Sequence, residues 1–205
     1  MKISYAIPVC NEHAELERVV RFLSSCKRNE DEIVVLCDKD NTTKEVLDVI
    51  EVHEELLKVY HNPLNNDFSQ QKNFLNSKCT GDWIFLIDAD EYPSEYLIKA
   101  LPTIIDANKD IEAYQVPRIN TVEGLTQEHI TKWGWRVDEK GWVNFPDWQM
   151  RIYKNTKKIY WTKPVHEQLV GHTKFALLPT EESFCLYHHK GIMRQEKQNQ
   201  YYSNI

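Results

Sequence analysis

Apolar residues in the first half of the chain follow two alternating patterns. Ile3, Tyr5 and Ile7 share one face of an extended stretch over residues 2–9, which Pro8 and the polar Cys10, Asn11 and Glu12 bring to an end. Leu16, Val19, Val20 and Leu23 then recur at helical spacing, with Glu12, Glu15 and Glu17 near the helix start, where the macrodipole favours acidic groups. The run IVVLC, residues 33–37, is short and uninterrupted, as expected of a parallel strand covered on both faces. The turn-forming DKDNTT follows, and its threonines suit the cap of a helix over 44–57. A weaker strand, KVYHN, precedes a helix over DFSQQKNFLNSKC that carries Phe74 and Leu75 inward and that Gly81 is placed to terminate. DWIFLIDADEYP reads as the strongest strand, with a further helix from about Ser94.

This order predicts an α/β fold, Rossmann-like, with a mostly parallel central sheet, helices on both faces and ligands outside the carboxyl ends of the strands. The polar segments CNE, DKDN and DADE each follow a strand directly, so they are expected to converge on one rim. Beyond Glu112 the pattern loosens. Strands are expected over 114–119, 149–153 and 184–188, between long polar loops, and five of the six tryptophans fall between Trp133 and Trp161. No linker-like stretch intervenes, so 1–205 is expected to be one domain, with 112–205 a smaller irregular β-containing half built onto 1–111. The final QEKQNQYYSNI reads as a helix still running, which gives the expectation of a longer protein with further C-terminal domains.

Composition removes several function classes. The charge sum of 25 basic and 31 acidic residues is −6, which argues against a broad cationic face for nucleic acid. No apolar run approaches the roughly 20 residues of a membrane span. The amino terminus turns polar and acidic from Asn11, so no export signal and a cytoplasmic location are expected, the host cytoplasm if the protein is viral. Five widely spaced cysteines without a CxxC point to free thiols. No glycine precedes Gly81, which excludes a Walker P-loop and a dinucleotide fingerprint.

The candidate chemistry lies in IFLIDADEYP. In an extended segment Asp88 and Asp90 project the same way, and two carboxylates that close repel unless a cation lies between them. Hard oxygen ligands select Mg²⁺ or Mn²⁺. An acidic turn before a helix is the plainer reading of the same residues.

The series IPVCNE, VVLCDKDN and FSQQKNFLNSKCTGDWIFLIDADE resembles the nucleotide-binding half of family 2 glycosyltransferases with the GT-A fold, closely over about residues 3–95. PDWQMRIYKN, PVHEQLVG and LYHHKG are similar to the same family more loosely, and viral and bacterial enzymes that decorate capsid or envelope glycans are among its members. The resemblance implies a metal-dependent glycosyltransferase that moves a hexosyl group from a UDP-sugar of the UDP-glucose kind to a hydroxyl of a glycan or glycoprotein. It further implies that Pro8, Asn11 and Glu12 line the base and ribose pocket and that Asp38 contacts the uracil or ribose. Lys72 and Asn73 would reach toward base and phosphates. Asp88, Ala89 and Asp90 form the DxD motif, with Asp90 on the metal and Asp88 on ribose or a metal-bound water. His188, or its neighbour His189, would complete the metal shell.

The acceptor hydroxyl must lose a proton, and an Asp or Glu serves as general base in an inverting enzyme. By the resemblance Glu167 in PVHEQL aligns best with the family's base and is the first choice, with a surface carboxylate paired with a lysine as its plainer reading. Asp147 in FPDWQMR is the second; if neither is needed, the enzyme is a retaining one. Arg151 suits the grip of a phosphate or a carboxylate of the ligand, with a structural ion pair an equal alternative. His166 stands beside the candidate base, either orienting it or simply satisfied in a loop. Trp135 and Trp142 are candidates for acceptor contact, although most of the tryptophans are expected to pack cores. A sugar-1-phosphate nucleotidyltransferase would need a glycine-rich loop after the first strand, which IPVCNEHAE lacks. A non-catalytic carbohydrate-binding module derived from a transferase is the remaining alternative.

Overall fold

The computed structural model describes residues 1–202. In its first half β1 (Ile3–Val9) leads into α1 (His13–Cys26), β2 (Glu32–Asp38) into α2 (Lys44–Val52), and β3 (Leu57–Asn62) into α3 (Phe68–Lys78). After α3 come β4 (Trp83–Leu86), a turn, β5 (Glu91–Pro93) and α4 (Glu95–Ala107). The second half holds β6 (Ala113–Glu123), α5 (Gln127–Trp133), β7 (Val143–Lys154), the short β8 (Tyr160–Thr162), β9 (Gln168–Val170) and β10 (Phe175–Leu177), then β11 (Leu186–Gly191) and α6 (Ile192–Tyr202). Part of the helix expected at the chain's end, Ser203, Asn204 and Ile205, lies outside the described residues.

The main sheet runs β3-β2-β1-β4-β7-β6-β11-β5. Its first four strands are parallel, and β7 is antiparallel to both neighbours. β10 and β11 both run parallel to β6, β10 beside its start and β11 beside its end. β5 closes the order antiparallel to β11. β2 is buried along its whole length, which is why its sequence shows no alternation. On one face Ile3, Tyr5 and Ile7 pack with Leu16, Val19, Val20 and Leu23 of α1 and Leu97, Leu101 and Ile105 of α4. On the other, Ala6, Val34 and Leu36 pack with Leu75 of α3 and with Trp161. Helices therefore cover both faces, and the sheet passes without a break from β4 of the first half to β7 of the second.

Four expectations change. The helix predicted over 44–57 stops at Val52, a 3₁₀ turn follows at Glu54–Leu56, and Leu57 instead pairs with Ile33 in the sheet. α3 ends at Lys78 on a Cys79 cap, so Gly81 terminates nothing. Its hydrogen is needed where the chain crosses β1: a Cβ there would stand 2.7 Å from the Ser4 backbone nitrogen. DWIFLIDADEYP is two strands, because the chain turns between Leu86 and Glu91 and then pairs with β11. Phe184 belongs to a 3₁₀ turn, so the last strand starts at Leu186. Among the described residues no helix is long and apolar enough to cross a membrane. The five cysteines are free, with Cys37, Cys79 and Cys185 buried.

Candidate active site

The carboxyl ends of β1, β2 and β4 open onto a cavity of about 1470 Å³, lined also by residues of β6, β7, β11 and α6. The three polar segments do meet there. Glu12 shapes the first loop, its Oε2 accepting from the backbone N–H groups of Cys10 and Asn11 at 3.0 Å each. Asp38 is nearly buried and shapes the second: its Oδ1 accepts from the N–H groups of Asp40 and Leu64, and its Oδ2 from the Asn41 amide at 2.7 Å. Pro8, Asn11 and Lys72 also line the cavity. Asn73 does not. Its amide both donates to and accepts from the main chain of Trp161, tying α3 to β8.

Asp88 and Asp90 lie in the turn after β4 and not in an extended strand, and both line the cavity. Asp88 pairs with Arg151 at 2.5 Å. The same guanidinium holds Glu91 through Nε at 2.9 Å and Nη2 at 2.6 Å, and Arg118 reaches Glu91 from β6 at 2.8 Å. Glu91 in turn accepts from the Asp88 backbone N–H at 3.2 Å. A buried arginine, Arg151, and a half-buried one, Arg118, on later strands therefore fix the acidic turn. Asp90 faces other cations: its Oδ2 lies 3.3 Å from His188 Nε2, 3.4 Å from Arg194 and 3.7 Å from Lys190. Burial alone would raise the pKa of both aspartates. Arg151 and Lys72 outweigh it at Asp88, and the His188 bond with the Lys190 and Arg194 charges outweighs it at Asp90, so both stay below the usual carboxylate range. The mutual repulsion expected of the two carboxylates is present at Asp88, where the Asp90 charge raises the pKa, but the neighbouring cations outweigh it.

Of the proposed metal set, Asp90 and His188 come together while Asp88 turns to Arg151. Among the described residues no group of three or more His, Cys, Asp or Glu side chains is gathered as a metal cage. His189 alternates to the opposite side of β11, exposed, with Nδ1 2.9 Å from the Thr121 hydroxyl. His188 and not His189 therefore faces Asp90.

Glu167 lines the cavity with Lys72 Nζ 3.4 Å away, and that ammonium lies 4.8 Å from the centre of the Trp161 ring. His166, with φ of 55°, lines it too. Asp147 is saturated: Arg118 donates to Oδ2 at 2.9 and 2.7 Å, Asn120 at 2.9 Å, and Gln149 donates to Oδ1 at 2.7 Å. Trp135 and Trp148 reach the cavity, whereas Trp142 packs edge-on against Phe145 under Lys140. Sequence reasoning missed Arg118, Asn120, Lys190 and Arg194. Only Arg118, a charge inside a predicted strand, left a signal.

This arrangement can bind an anionic ligand at the strand ends and place a carboxylate beside it. The sequence profile described as Glycosyl transferase family 2 matches residues 4–196. The chain belongs to that family. This family 2 chain is 35% identical over 118 residues to an uncharacterized glycosyltransferase of Rickettsia felis (strain ATCC VR-1525 / URRWXCal2), a match taking in 56% of the chain and 38% of that protein. It is 31% identical over 81 residues to the SPbeta prophage-derived glycosyltransferase SunS of Bacillus subtilis (strain 168), over 40% of the chain and 19% of SunS. It therefore spans well under two thirds of either relative. The crystal structure of S. aureus TarS 1-349 in complex with UDP-GlcNAc has a TM-score of 0.60 at 15% identity, covering 93% of this chain and 59% of TarS 1-349. A second TarS structure, in complex with UDP, gives 0.62 at 16% identity over 92% and 60%. At that identity the likeness is one of fold, and it places this family 2 member among the GT-A glycosyltransferases.

Proposed function

We propose that this glycosyltransferase moves a sugar from a UDP-sugar to a hydroxyl of a glycan or glycoprotein, with Mn²⁺ or Mg²⁺ assisting. The observation that carries the reading is the meeting of Asp90 and His188 at the strand-end rim of a cavity that Glu167 also lines. The TarS complexes with UDP and UDP-GlcNAc support a uridine nucleotide donor. The donor set fits a divalent ion of the kind that takes one or two protein ligands and completes its shell with substrate phosphates and water. Asp90 and His188 would hold it, and when bound it supplies charge neutralisation for the diphosphate leaving group. Pro8, Asn11 and Glu12 form the base and ribose wall, with Asp38 behind them. Glu167 accepts the proton of the acceptor hydroxyl as its oxygen attacks the anomeric carbon and the bond to the diphosphate breaks. Glu167 suits that role better than Asp147, whose oxygens already receive four donor bonds. Trp135 and Trp148 offer flat apolar faces to an acceptor sugar.

Titration calorimetry with UDP tests the reading. Binding is expected with Mn²⁺ and strongly weakened in EDTA, and Asp90→Asn is expected to remove the metal-dependent part while the circular dichroism spectrum stays unchanged. Equal affinity in EDTA would dismiss the metal. A thermal-shift panel of nucleotide sugars then identifies the donor, since stabilisation follows affinity.

A further inference from the structure

Asp147, Asn120 and His188 stand on three adjacent strands, β7, β6 and β11, and His188 is the direct cross-strand partner of Asn120. Their side chains form one line of hydrogen bonds. Asn120 Nδ2 donates to Asp147 Oδ2 at 2.9 Å, and Asn120 Oδ1 lies 2.7 Å from His188 Nδ1. The chemistry of the first bond fixes the second. Burial alone would raise the pKa of Asp147; the Arg118 charge and the bonds from Asn120, Arg118 and Gln149 outweigh it and hold the carboxyl below its ordinary range. An ionised carboxylate only accepts, so the NH₂ end of the Asn120 amide must face Asp147 and its carbonyl must face His188. A carbonyl at Nδ1 requires N–H there, which leaves the lone pair of the neutral ring on Nε2. Nε2 is the atom turned toward Asp90, 3.3 Å away. In the metal-free protein the ionised Asp90 draws a second proton onto Nε2, and that proton, not the one on Nδ1, is the one a divalent ion would displace.

We propose that Asp147 and Asn120 are positioning residues that lock His188 as its Nδ1–H tautomer and so present Nε2, beside Asp90, to a divalent ion. The inference rests on the metal assignment made above and gives Asp147 a task other than proton abstraction. Outer-shell partners of metal-bound imidazoles act in this way, and losing one weakens metal affinity by roughly 10–100-fold.

The experiment reads tautomer and metal separately. Long-range proton–nitrogen correlation spectra of the ¹⁵N-labelled, metal-free protein are recorded at about pH 9, above the ordinary histidine range. Wild type and Asn120→Asp, which keeps an acceptor in place, are expected to show His188 protonated at Nδ1. Asn120→Leu is expected to lose that preference, and Asp147→Ala, which lets the amide turn over, to show a mixture. Mn²⁺ titration in the presence of UDP is expected to weaken at least tenfold in Asn120→Leu and to recover in Asn120→Asp. Melting curves confirm that each variant folds. A wild-type ring protonated at Nε2 but not at Nδ1, or an unchanged ring and unchanged Mn²⁺ affinity in Asn120→Leu, overturns the relay; a ring unchanged in Asp147→Ala strikes Asp147 from it. Wild-type protein that shows the Nδ1–H ring but binds no Mn²⁺ overturns the metal assignment instead.

Discussion

Asp88 and Asp90 are two positions apart, yet Arg151 holds one and His188, Lys190 and Arg194 surround the other. Arg151 has a side chain only 5% exposed and serves a Glu91 carboxylate that is 0% exposed. Removing it leaves Glu91 with the Arg118 charge and the Asp88 backbone N–H. Arg151→Met is therefore expected to cost about 3 kcal/mol, the low end for a broken buried pair, and Arg151→Lys to recover only part of it, because an ammonium cannot serve Nε and Nη2 positions together. Urea unfolding of the three proteins measures this. Glu167→Gln removes the proposed base without disturbing the Arg118 and Arg151 network. It is expected to lower the turnover rate by roughly 10²–10⁴-fold with UDP affinity unchanged; a variant that keeps its rate would return the role to another group. The sequence located the acidic turn, because DADE stands out at the end of an apolar run. It could not assign partners to those carboxylates, since Arg118 and Arg151 arrive from strands 27 and 60 residues beyond Glu91. Choosing His188 over His189 likewise needs the register of β11 against β6, a non-local property.

Elements were readable where local pattern and burial coincide. β2 is an unbroken apolar run, α1 and α4 carry clear helical stripes, and the structure keeps all three. The three-residue strands β8, β9 and β10 are too short to show a period, and only their neighbours make them strands. The turn after β4 is similar: Glu91–Pro93 becomes a strand because β11 lies beside it. Gly81 shows how a residue can be noticed for the wrong reason. Nothing in the sequence tells a helix terminator from a point of backbone contact, but the 2.7 Å approach to Ser4 does. Gly81→Ala is expected to force β1 and the segment before β4 apart at a cost of about 1–3 kcal/mol, with a melting temperature lowered by roughly 2–4 °C per kcal/mol. An unchanged melting curve would mean that the β1 edge gives way freely.

On the scale of the whole molecule, the sheet carries ionised carboxylates at both ends of its strands. At the cavity end stand Asp88, Asp90 and Asp147. At the opposite end Glu32, nearly buried, accepts from Lys2 and Lys58 at 2.7 Å each, from the Ser4 hydroxyl at 2.6 Å and from Thr80. Burial would raise the pKa of Glu32, but Lys2, Lys58, Ser4 and Thr80 together pull it far below its ordinary 4.5; the cavity aspartates lie below their ordinary 3.8. Each of these groups binds its proton less readily folded than unfolded. Their contribution to stability is therefore complete above the unfolded values and is lost as the pH falls toward the folded ones. Unfolding free energy should vary little on this account between about pH 7 and pH 5.5, then drop steeply below about pH 4.5 and go on falling toward pH 2. The two ends can be separated, because Glu32→Gln removes one titrating group far from the cavity. That variant should be less stable than wild type at neutral pH and lose less on acidification. A wild-type stability that stayed level down to pH 3, or an acid slope unchanged in Glu32→Gln, would show that these ion pairs contribute nothing beyond what water provides.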